Sequence, residues 1–72
     1  MNKAEIDETK LIKMFEKASK EYFACEVDDP EYKKYEGEYV MMGIVLLELD
    51  IYTKMDIDNN KRVMCKLYGR KL

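Results

Sequence analysis

YEGEYVMMGIVLLELDIYT, residues Tyr35–Thr53, holds most of the apolar mass of a 72-residue chain and decides how that chain folds. Tyr35, Tyr39, Met42, Leu46 and Leu49 follow a 4-3-4-3 step, the heptad seam of a helix lying on another helix. Val40, Ile44, Val45, Leu47 and Ile51 extend the apolar surface beyond that seam. A helix apolar almost all round is covered on several sides, so one partner helix does not suffice. Either the C-terminal segment also packs on it, or a second molecule does. Gly37 and Gly43 oppose helix at about 1 kcal/mol each relative to Ala. They mark either a close helix crossing or a break.

Upstream, Glu26-Val27-Asp28-Asp29-Pro30 is the strongest punctuation in the chain. Asp29 suits an N-cap, Pro30 the first helical position, and Glu31 complements the helix dipole. A helix is therefore expected from Pro30 toward Thr53. Before it, Leu11, Met14, Phe15, Ala18, Tyr22 and Cys25 recur at three- and four-residue steps, the buried stripe of a first helix. Asn2 and Glu5 fit its capping box. Lys13, Glu16, Lys17, Lys20 and Glu21 form its polar face, with Glu16 four residues ahead of Lys20 in the favourable order. Ser19, among these charges, reads as a helix-surface residue.

Downstream the pattern has two readings. Asp58 or Asn59 can cap a short helix carrying Val63, Met64, Leu67 and Tyr68, with Gly69 as its C′ residue. Against that, Leu49, Ile51, Thr53, Met55 and Ile57 alternate with polar neighbours, as do Val63, Cys65 and Leu67. That alternation describes a hairpin turning at Asp58–Lys61, with strands over roughly residues 47–57 and 62–68. The Asp-Pro start and the heptad favour helix. The expected fold is all-α, a single three-helix domain over 1–72; the alternative is α+β, with a C-terminal hairpin after one or two helices.

So short a chain buries little of its surface, about 60% for domains of this size, and gains stability from disulfides, metals or self-association. A homodimer is expected because the other two are poorly supplied. Cys25 and Cys65 lie far apart without CxxC spacing, and no secretory pattern opens the sequence. These features suit a reducing cytoplasm with both thiols free, a Cys25–Cys65 bridge being the lesser reading. The longest uncharged apolar run, Tyr39–Leu47, is about half of the roughly 20 residues that span a bilayer. No membrane association is expected.

Catalytic equipment is scarce. The chain has no His, one Ser and two Thr, so Ser–His and Cys–His pairs do not exist within it. Carboxylate pairs such as Glu36/Glu38 and Asp56/Asp58 need a shaped cleft to separate their pKa values. Asp56, Asp58 and Asn60 occupy the first, third and fifth positions of a calcium loop. Lys61 then replaces its turn glycine and Leu67 its bidentate Glu. A solvated turn or helix cap is the simpler reading. Two thiols fall short of a four-ligand zinc site. Neither an enzyme nor a metal or cofactor is expected.

Two candidate surfaces remain. Tyr32, Tyr35, Tyr39 and Met42 form one stripe, and six Met in all suggest adaptable apolar contact. Such a stripe suits a protein partner, though apolar stripes are more often a core or dimer seam. Lys61, Arg62, Lys66, Arg70 and Lys71 give residues 59–72 a net +5 against −7 for residues 1–58. On a helix, Arg62, Lys66 and Arg70 would make a ridge following phosphates, with Tyr68 near it for stacking. The same charges also suit a solvated face lying against an acidic body. The acidic overall balance favours the protein partner over nucleic acid. The expected function is a small non-enzymatic regulator or inhibitor that occludes a partner protein, in the manner of a phage or mobile-element accessory protein. A nucleic-acid-binding regulator is the alternative.

Overall fold

The computed structural model describes residues 7–70, which form three helices: α1 (Glu8–Ala24), α2 (Tyr32–Glu48) and α3 (Lys54–Leu67). The all-α expectation holds. No strand occurs among the described residues, so the hairpin alternative is set aside. Local chemistry explains most boundaries. Asp7 caps α1, its side chain accepting a hydrogen bond from the Lys10 amide at 3.1 Å. The Asn2–Glu5 capping box lies outside the described residues.

The Asp29–Pro30 signal marks a turn, and α2 starts two residues later than Pro30 implies. Asp29 Oδ1 accepts from the Glu31 amide at 2.7 Å, and Asp29 O accepts from the Tyr32 amide at 3.0 Å. That second bond closes an i,i+3 turn, tighter than an α-helical one. Glu31 follows as N-cap without a side-chain bond.

The far end of α2 corrects the expected run to Thr53. Asp50 adopts φ 58°, and the amides of Asp50 and Ile51 turn back onto the carbonyls of Leu47 (3.1 Å) and Leu46 (2.9 Å). This is a Schellman stop, and Ile51 packs against the core containing Leu46, the apolar contact that accompanies it. Three residues on, Thr53 and Asp56 form a reciprocal capping box: Asp56 N to Thr53 Oγ1 at 3.2 Å, Thr53 N to Asp56 Oδ2 at 2.8 Å. The third helix thus starts well before Asp58 and Asn59, which lie inside it. A left-handed residue at 50 and a cap at 53 interrupt the alternation that suggested strands. Gly69, φ 68°, ends α3 as expected, with the Arg70 amide on Cys65 O at 2.7 Å.

Helix α1 lies along α2, and α3 packs chiefly on α1. Phe15 and Leu46 are wholly buried between them, joined by Phe23, Tyr39 and Cys65. Ser19 is a correction: it is fully buried, one turn from both Phe15 and Phe23, and its hydroxyl donates to Glu16 O at 2.9 Å. The i−3 carbonyl supplies the partner that burial requires. Gly43 sits at the crossing, where an added Cβ would stand 3.7 Å from Phe15 and 3.8 Å from Ile57. Among the described residues, an added Cβ at Gly37 would meet nothing within 4 Å. Neither glycine breaks the helix. Glu16 and Lys20 do not pair; Lys33–Glu36, 3.7 Å and exposed, is the one ion pair among the described residues. Exposed pairs contribute little, so the favourable order alone does not hold two long side chains together.

The left-handed residue gives the test of this architecture. Glycine adopts positive φ without the Cβ penalty, whereas a β-branched side chain there is strained. Asp50→Gly is expected to leave stability unchanged or raise it by up to about 1 kcal/mol, and Asp50→Val to lower it by about 1–2 kcal/mol. Urea titration followed by circular dichroism at 222 nm reads both.

Candidate partner-binding site

The four residues of the aromatic stripe divide between core and surface. Tyr39 is buried, stacked on Phe15 (5.4 Å between centroids) and Tyr22 (5.2 Å) and edge-on to Phe23 (5.2 Å). Its hydroxyl donates to Asn60 Oδ1 of α3 at 3.4 Å. Tyr32 is half-buried; its hydroxyl shares a 3.4 Å hydrogen bond with that of Tyr22, and the Arg70 guanidinium lies 5.9 Å from its ring centre. Tyr35 and Met42 are half-exposed and meet Met14, Lys17, Ala18 and Glu21 of α1 across a shallow groove. Lys34 and Glu38 complete a rim carrying both charge signs around a volume of about 490 Å³. The apolar floor and mixed rim can seat an amphipathic segment, its charges fixing the orientation.

The basic residues also separate. Lys61, Arg62 and Lys66 are exposed on α3, with Arg62 and Lys66 one turn apart. Arg70 lies beyond the helix and turns back toward Tyr32, so it leaves the ridge expected of it. Gly69 makes that reversal, and the cation–aromatic contact rewards it. Lys71 lies outside the described residues. The partial calcium pattern is absorbed by α3: Asp56 caps the helix, and Asp58 and Asn60 follow within it. Residues two apart on a helix are rotated about 200°, which directs neighbouring members of that pattern to different sides. No group of three or more potential metal-ligating side chains occurs among the described residues.

One thiol and three phenols are held in their neutral forms by their surroundings. Burial, assisted by Asp29 and opposed by Arg70, raises the Cys25 thiol above its ordinary 9.0. The Tyr22 phenol is raised foremost by its hydrogen bond to Tyr32, then by burial. Burial leads for Tyr39 and Tyr52, whose neighbours Asp58 and Glu16 push the same way. Cys25 and Cys65 are both buried and unbridged.

No helix among the described residues is long and apolar enough to cross a membrane. Comparison with known proteins finds no matching family model, no matching curated protein and no matching solved structure.

Four raised groups have a shared consequence. Each is favoured in its neutral form by folding, so its contribution is complete below the unfolded-state value and is lost as pH rises through the folded one. Stability is expected to hold through neutrality and fall above the ordinary thiol and phenol values of 9.0 and 10.0. Urea midpoints measured from pH 7 to pH 11 check this, and a rising midpoint over that interval would contradict it.

Proposed function

We propose that this chain is a non-enzymatic protein-binding module whose α1–α2 groove seats and occludes a segment of a partner protein. The observation that carries the reading is the convergence of Tyr35 and Met42 with Met14 and Ala18 in one open, charge-rimmed groove. Tyrosine offers large contact area with a polar tip, and methionine adapts its shape to what it meets. The rim of Lys17, Lys34, Glu21 and Glu38 suits a helical segment with an apolar stripe and charges of both signs. Covering such a segment blocks whatever else it would contact, the action of a small regulator or inhibitor.

A second reading uses Lys61, Arg62 and Lys66, exposed cations without an ion pair among the described residues. They would follow a phosphate backbone, and their binding would weaken steeply with salt.

Affinity capture from extract of the native cell, repeated after nuclease treatment, separates the two. Under the groove reading one protein survives nuclease at stoichiometric yield. Tyr35→Glu then reduces its affinity about tenfold or more, as for a central contact residue, with helix content unchanged by circular dichroism. Under the second reading nuclease releases everything, and Lys61→Glu with Arg62→Glu and Lys66→Glu abolishes capture while Tyr35→Glu does not.

A further inference from the structure

Helix α2 carries a second seam. At about 100° per residue, the buried Tyr39 and Leu46 lie on one side of the helix axis. Lys33, Gly37, Val40, Ile44 and Leu47 follow the same 4-3-4-3 step, rotated about 90–170° around the axis from that side. Val40, Met41 and Ile44 are 50%, 66% and 53% exposed. Gly37 and the flanking Lys33 and Glu48 are exposed as well. Beside this stripe Val40, Gly43, Ile44 and Leu47 join Phe15, Tyr39 and Ile57 in a wholly apolar cleft of about 190 Å³.

We propose that this outer seam is a homodimer interface, in which α2 packs antiparallel on α2 of a second copy about a twofold axis passing between Val40 and Met41. A single register satisfies the whole stripe. Lys33 faces Glu48 of the second copy, Lys34 faces Leu47, Gly37 faces Ile44, and Val40 faces Met41. Twofold symmetry repeats each pair, as an isologous contact requires. Along this seam of about 22 Å, charges of opposite sign close both ends and apolar side chains fill the middle.

Two otherwise unexplained features of α2 then have a cause. Gly37 costs helix stability, yet among the described residues an added Cβ there would meet nothing within 4 Å. In the dimer the missing side chain is the hole that admits Ile44 of the second copy, so the helix backbones approach closely. Lys33 stands in the first turn and Glu48 in the last, both against the polarity of the helix dipole. Antiparallel pairing lays each of these charges beside an opposite charge and an opposite helix end. The exposed Lys33–Glu36 pair, 3.7 Å long, is weak enough for Lys33 to exchange partners.

The seam leaves the floor of the α1–α2 groove uncovered and meets its rim at Lys34. In the dimer both copies of the groove stay open, so a partner carrying two segments would be bound bivalently.

Sedimentation equilibrium on the full chain at low salt, from micromolar to millimolar concentration, tests the interface. The wild type is expected to dimerise. Lys33→Glu and Glu48→Lys should each weaken dimerisation about tenfold or more, because like charges then face each other twice. Combining them should restore the wild-type constant to within about threefold, the charges being opposite again. Gly37→Leu should abolish the dimer while circular dichroism shows the helix content retained or raised. A wild type that stays monomeric to millimolar concentration overturns the proposal. So does a dimer indifferent to the charge reversals, or a double variant no better than the singles. Sedimentation of a monomer with phosphatidylcholine–phosphatidylglycerol vesicles would assign the seam to lipid and overturn it too. None of these substitutions touches Tyr35 or Met42, so failure here leaves the groove reading to its own test.

Discussion

One helix carries more apolar surface than the other described residues cover. Helix α2 buries Tyr39 and Leu46 against α1, yet leaves Val40, Met41 and Ile44 in solvent. The fold does not relieve this imbalance, because α3 packs chiefly on α1 and reaches α2 through Ile57 near Gly43 and through Asn60 at the Tyr39 hydroxyl. Cα extents of 46 × 25 × 16 Å describe a thin slab rather than a sphere. The free energy of covering that second side is available to association.

The aromatic cluster is the counterweight that makes the covered side sufficient. Phe15 contacts Tyr39 face-on and Tyr52 edge-on, the latter at 5.6 Å and 85°, so one side chain of α1 ties α2 to the segment that enters α3. Tyr22 spans Phe23, Tyr32 and Tyr39. Aromatic pairs in these geometries contribute about 0.5–1.5 kcal/mol beyond their buried area. No buried side-chain polar atom lacks a hydrogen-bond partner among the described residues, so the phenols and Ser19 enter the core without an unpaired group.

What was legible in the sequence was periodicity. The heptad from Tyr35 to Leu49 placed a helix, with Tyr39 and Leu46 on its packed side but Leu49 exposed as its C-cap. The stripe from Leu11 to Cys25 placed its partner, with Met14 exposed rather than buried. The third helix was harder because Thr53 and Asp56, which spell its cap, also belong to an alternating run. Local hydrogen bonding at Thr53 and the left-handed Asp50 decided the contest, and neither leaves a periodic trace. Ser19 was misread since polarity argues for the surface, whereas its depth comes from standing between Phe15 and Phe23. The Tyr/Met stripe was visible as a unit, but its division was not. Tyr39 and Tyr35 are one turn apart, and only the angle at which α1 crosses decides which is buried. Arg70 left the basic ridge because Gly69 reverses the chain, a turn that spacing alone does not aim.

Phe15, Tyr39 and Leu46 belong to two helices joined by a short link, whereas α3 joins this pair through fewer contacts. Contacts close in sequence form early, on microsecond to millisecond scales in helical domains. Because fewer contacts hold α3, local opening is expected there before the α1–α2 hairpin separates. In the native fold the α1–α2 hairpin is a platform and α3 a strap laid across it. Because the groove lies entirely within the platform, opening of the strap leaves the groove-lining residues in place.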